Sequence, residues 1–281
     1  MGQIDLNLAV VMVDADHTLF KFRREEGSLA QADVVTKITG GDRSVVGAEL
    51  EAIALEMIHG DPGWLTDMQT SFTEHVQCID VPLEESQWST AAKILAHLRR
   101  LGHDPRRYYA AAVRAEKAFW EGVRRYSTLY EDAQHLTSFF RDQKIPLAVV
   151  TSSDARTRFR RGVGGGRIEY AVDHSIKMKL RRFGPSGLFG IVPRRNVIVA
   201  DPWHKHDIQL WENRIFPRYP DRTDRQHWIM IGDTEFDMIA GLNARIATRI
   251  LVKRHTKHVA EATHVVHSLT EAVQLVQGLL A

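Results

Sequence analysis

Asp14 and Asp16 stand two positions apart at the end of an apolar run, Leu8-Ala9-Val10-Val11-Met12-Val13, within the segment Asp14-Ala15-Asp16-His17-Thr18-Leu19-Phe20. Two carboxylates this close repel one another, and a cation between them or a proton on one of them is the usual remedy. A turn or a helix N-cap is the unreactive alternative, because aspartate is common in both. Three further polar clusters end apolar runs later in the chain. Thr151-Ser152-Ser153-Asp154 follows Leu147-Ala148-Val149-Val150, and Asp201-Pro202-Trp203-His204-Lys205 follows Asn196-Val197-Ile198-Val199-Ala200. Gly232-Asp233-Thr234-Glu235-Phe236-Asp237 follows Trp228-Ile229-Met230-Ile231.

The runs that carry these clusters have one character. Each is unbroken, short and rich in β-branched residues, the pattern of a strand covered on both faces inside a parallel sheet. Ile250-Leu251-Val252 reads as a fifth strand. Between them, Asp132 to Lys144 is an amphipathic helix carrying Leu136, Phe139 and Phe140, and Ser268 with Glu271 opens a terminal helix as a capping box. Strands spaced by helices imply right-handed crossovers, so the carboxyl ends of all strands face one side. That side is where open α/β sheets bind ligands.

Residues 21–125 interrupt this alternation with helical sequence. Helices are predicted from Val45 to His59, Trp64 to Val76, Leu83 to Leu101 and Pro105 to Arg125, with Asp104-Pro105 a good helix start. The simplest organisation is an α/β core of residues 1–20 and 126–281 with a mostly helical cap inserted after the first strand. Hinges are expected near Phe20 to Phe22 and near Arg125 to Ser127.

Composition removes several classes of function. With 37 basic and 35 acidic side chains in 281 residues, bulk charge calls for neither nucleic acid nor an anionic membrane. A single cysteine, Cys78, excludes an internal disulfide framework and fits a reducing compartment. Met1-Gly2-Gln3-Ile4-Asp5 lacks a basic leader region and no apolar run approaches a membrane span, so a cytoplasmic protein is expected. The basic stretch from Arg156 to Arg182 carries only Phe159 and Tyr170 as aromatics, too few for a stacking platform, and reads as a solvated face. Gly162 to Gly166 lacks the lysine and hydroxyl of a P-loop, and His255, His258, His264 and His267 show no zinc spacing.

Taken in order, Asp14-Ala15-Asp16-His17-Thr18, the strand ending at Thr151, Lys205, and Gly232-Asp233 with Asp237 resemble the four motifs of the haloacid dehalogenase superfamily. The resemblance implies a Rossmann-like three-layer sandwich with a central parallel sheet and a helical cap. It also implies that the second aspartate marks phosphatases and phosphomutases rather than dehalogenases. Under it, Asp14 is nucleophile and metal ligand. Asp16 is the acid and base and a ligand through its backbone carbonyl. Thr151 and Ser152 bind the phosphoryl group, Lys205 neutralises charge, and Asp233 and Asp237 complete a magnesium site. Two departures stand out. His17 replaces the usual glycine, and the long interval from Thr151 leaves Lys177 and Lys179 as rivals to Lys205.

The expected activity is hydrolysis of a small phosphorylated metabolite, with magnesium, through an aspartyl phosphate. A phosphomutase would use the same Asp14 and Asp16, and a binding protein without turnover would retain only the fold. A cap that closes over the site and excludes water favours small substrates, with Trp64, Trp88, Arg23 and Arg24 as sources of specificity. Oligomeric state is not legible.

Overall fold

The computed structural model describes residues 3–21, 23–59, 76–78, 88–152, 155–161, 168–174, 176–254 and 259–280. By its contacts the chain divides into two units, one of residues 1–22, 127–154 and 175–281, the other of residues 23–126 and 155–174.

The first unit is built on a six-stranded sheet in the order His264–Val266, Thr248–Val252, Trp228–Gly232, Val10–Val13, Leu147–Ser152, Val197–Ala200. Every pairing in it is parallel. The first strand in the chain is therefore central. The next two strands add on one side of it and the last three on the other. The strand order thus reverses between Val10–Val13 and Trp228–Gly232, where Val10 pairs with Trp228 and Val13 with Ile231.

The alternation of side chains along a strand separates two cores. Val11, Val13, Val149, Ile229 and Ile231 face Leu136, Phe140, Leu269, Val273 and Val276, which come from helices Glu131–Asp142 and Leu269–Leu279. Val10, Met12, Ala148, Val150 and Met230 face Leu210, Trp211, Ile215 and Met238 on the opposite side. Each such Val, Leu, Ile, Phe or Met side chain, fully buried, contributes about 1.5–3 kcal/mol of transfer free energy. The result is the three-layer α/β sandwich expected from the unbroken apolar runs.

The second unit carries helices Arg24–Thr39, Arg43–His59, Trp88–Arg100 and Tyr109–Tyr126. The first and last of these approach closely because two glycines lie between them. A β-carbon on Gly27 would come within 2.6 Å of the Phe119 ring, and one on Gly122 within 2.8 Å of the Glu26 carbonyl oxygen. This unit also contains a three-stranded sheet in the order Val76–Cys78, Ile168–His174, Ala155–Arg161. Val76–Cys78 pairs in parallel with Ile168–Tyr170, so residues 155–174, read in the sequence as part of the core, group with the helices.

Local readings diverge at a few places. Helix Arg24–Thr39 is absent from the predicted set, since Gly27 and the run Val34-Val35-Thr36 weaken its helical signature. Val76, predicted as a helix end, begins a strand. Trp64 and Gly162 to Gly166 lie outside the described residues, as do His255 and His258. Among the described residues no helix is long and apolar enough to cross a membrane.

Candidate active site

The reversal of strand order creates a crevice at the carboxyl ends of Val10–Val13 and Trp228–Gly232, and the acids gather there. Asp14 continues the first strand, its backbone N–H donating to the Ile231 carbonyl at 2.9 Å. Asp233 directly follows the neighbouring strand. Asp14, Asp233 and Asp237 are all buried and offer carboxylate oxygens within 4.8 Å of one another.

Asp237 is held by the helix it begins. Thr234 and Asp237 form a capping box at the start of Glu235–Asn243. One Asp237 oxygen accepts from the backbone N–H groups of Asp233 and Thr234 at 3.1 and 3.0 Å and from the Thr234 hydroxyl at 2.8 Å. Gly232 is required by this packing, because a β-carbon there would collide with the Asp237 side chain. The Thr18 hydroxyl donates to Asp233 Oδ1 at 2.8 Å and so fixes the remaining acid.

Lys205 is delivered by the segment that follows Val197–Ala200. Its buried ammonium donates to Asp14 Oδ1 and to Asp237 Oδ1. Burial opposes its charge, yet the two carboxylates outweigh that effect and raise its pKa above the ordinary lysine value. Lys179, on helix Ile176–Phe183, is also buried and donates to Asp16 Oδ2 at 2.5 Å. The lysine rivalry read from sequence thus has a different form. Lys205 meets the first aspartate of the motif and Lys179 the second. Nothing is described of the Lys177 side chain.

The electrostatics are set by burial. Loss of water raises the Asp14 pKa to about 8, and the charges of Asp237, Asp233 and Asp16 add to this while Lys205 opposes it. Burial likewise raises Asp233 to about 7, with Asp237 adding to the shift and the Thr18 hydrogen bond opposing it. Three buried acids face one buried ammonium among these groups. Hard oxygen donors in such excess fit a small divalent cation that keeps some of its waters. The Asp16 carboxylate is outside this trio.

His17 adopts φ +58°, the left-handed region that the usual glycine would enter without strain. A cavity of about 350 Å³ opens over the acids and is lined by Asp14, Asp16, His17, Thr151, Ser152 and Lys205. It is also lined by His204, His206 and Phe236, which were not singled out from the sequence. Their positions beside Lys205 and between Asp233 and Asp237 were the available signal. Thr151 is buried at the end of its strand, with its register fixed opposite Val199.

No family model matches the sequence, and no curated protein matches it. Solved structures do match in fold. One assigned as a beta-phosphoglucomutase from Thermotoga maritima is 12% identical, with a TM-score of 0.59 over 97% of this chain and 100% of the other. A dehalogenase with an intermediate complex is 15% identical, with a TM-score of 0.51 over 96% of this chain and 97% of the other. A haloacid dehalogenase-like hydrolase from Streptococcus pneumoniae is 14% identical, with a TM-score of 0.51 over 96% and 98% of the two chains. The chain has the fold of the haloacid dehalogenase superfamily.

Proposed function

We propose that this protein is a magnesium-dependent phosphatase acting on a small-molecule phosphate monoester through an aspartyl phosphate on Asp14. The observation that supports this most is the grouping at one strand-order reversal. Asp14 there shares the buried Lys205 ammonium with Asp237, and Asp233 lies within metal-bridging distance. The fold is shared by a dehalogenase and a protein assigned as a mutase, so it does not choose the reaction. Asp16 does, through the family resemblance of its position.

Asp14, Asp233 and Asp237 would hold the magnesium ion. When bound, it supplies positive charge that lets an anionic nucleophile approach an anionic phosphoryl group. Asp14 attacks phosphorus, and the bond to the leaving oxygen breaks as the aspartyl phosphate forms. Lys205 offsets charge on Asp14 and on the phosphoryl oxygens. Thr151 and Ser152 orient those oxygens from the wall of the cavity. Asp16, anchored by Lys179, exchanges a proton first with the leaving oxygen and then with the water that hydrolyses the intermediate. The partner implied is a phosphorylated metabolite small enough for the cavity.

The direct test is release of inorganic phosphate from an aryl phosphate with and without magnesium. Magnesium-dependent release that vanishes in Asp14→Asn supports the reading. Release undiminished in that variant would remove the nucleophile. A burst of transfer to a second sugar phosphate, without free phosphate, would make the protein a mutase.

A further inference from the structure

His204 and His206 flank Lys205, and their imidazole rings stack with centroids 5.6 Å apart and planes 5° from parallel. His206 in turn lies against Phe236, at 5.8 Å between centroids and 27° between planes. All three line the cavity that contains Asp14 and Lys205. Phe236 is 64% exposed, so its ring is open to a ligand that enters the cavity.

The segment that presents the two imidazoles is pinned through its backbone at three successive residues. The His204 N–H donates to Asp207 Oδ2 at 2.7 Å, and the Lys205 carbonyl accepts from the Trp211 indole at 2.9 Å. The His206 carbonyl accepts from the Asn243 side-chain amide at 2.9 Å. A backbone held this way need not be ordered when a ligand arrives, which lowers the entropic cost of using the two imidazoles it carries. Its π faces are the only recognition feature these three side chains share.

We propose that His204, His206 and Phe236 form a subsite for a planar aromatic or heteroaromatic group, so that the substrate class is a phosphate monoester whose organic part carries such a ring. The location of the phosphoryl end rests on the phosphatase reading; the ring subsite does not. A flat ring offered to the series stacks in offset or edge geometry and gains beyond the area it buries. A saturated ring of the same size buries comparable area and lacks that gain.

The test is equilibrium binding of benzylphosphonate and cyclohexylmethylphosphonate, in the presence of magnesium, to the wild type, Phe236→Leu and Phe236→Trp. The wild type is expected to prefer the benzyl compound by roughly two- to tenfold. The preference should disappear in Phe236→Leu, which keeps apolar bulk without a π face, and persist in Phe236→Trp. Equal affinities in the wild type, an undiminished preference in Phe236→Leu, or no binding of either compound would overturn the subsite. Phosphate release from benzyl phosphate, measured alongside, separates the two readings. Turnover without a ligand preference removes the subsite alone, and preference without turnover removes the phosphatase alone.

Discussion

Lys179 Nζ lies 2.5 Å from Asp16 Oδ2, so the second aspartate of the motif has its own ammonium, as Asp14 has Lys205. The two lysines reach the site from different segments, one from helix Ile176–Phe183 and one from the segment after Val197–Ala200. Their removal should have different consequences.

Lys205→Met takes away the cation shared by Asp14 and Asp237 and is expected to lower kcat by about 10²–10³, whatever the leaving group. Lys179→Met should cost less than the roughly 10²–10⁴ of losing an acid–base group outright, and its loss should grow as the leaving alcohol becomes less acidic. A series of aryl and alkyl phosphates measures both slopes. A harmless Lys205→Met beside a crippled Lys179→Met would exchange the two assignments.

Asp14→Asn should end turnover while circular dichroism and melting show an intact fold, because the amide matches the carboxylate in shape but cannot form the acyl phosphate. Asp16→Asn should retain a trace of activity, reduced by roughly 10²–10⁴, with the alkyl substrates hit hardest. Equal losses for aryl and alkyl phosphates would remove the proton-transfer role.

The raised acids make the metal-free protein pH-sensitive in a definite direction. Asp14 and Asp233 hold their protons up to about 8 and about 7, against an ordinary 3.8, so the folded state binds protons more tightly than the unfolded chain. The stability this contributes is complete below 3.8 and is lost as pH rises through 7 and 8. Urea denaturation without metal should therefore show a decline across that window, shallower in Asp14→Asn. Magnesium, which competes with those protons, should bind more tightly as pH rises and recover stability at the alkaline end. A metal-free protein whose stability climbs from pH 5 to 8 by the same measurement would contradict the assignment.

Thr18→Val removes the hydroxyl that donates to Asp233 while keeping the side-chain shape. Groups that orient metal ligands typically matter by 10–100-fold in metal affinity. The magnesium concentration for half-maximal activity should rise by about that factor, with a smaller change at saturating metal. An unchanged magnesium requirement would show that Asp233 is held without Thr18.

The sheet was legible because its strands are buried on both faces and so carry unmistakable apolar runs. The edge strand His264–Val266 escaped for the converse reason. It has three residues, and Val265 is exposed. The acids at the strand ends were legible from order and spacing, but their partners were not. Lys179 and Asp16 are 163 positions apart, and no periodicity links them. The choice between Lys205 and Lys179 was posed as exclusive because a linear motif has one lysine slot, whereas the folded site has room for two. Phe236 looked like one more helix residue, since its exposure depends on which face of Glu235–Asn243 the capping box turns outward.

The pairing of Val76–Cys78 with Ile168–Tyr170 sets a condition on biosynthesis. A ribosome that has released residues 23–126 has not yet made the strand that completes this small sheet, and a fragment ending at 126 would expose its edge. Excising the helical unit therefore calls for both of its segments, joined by a bridge that replaces the intervening core, rather than a truncation at either boundary.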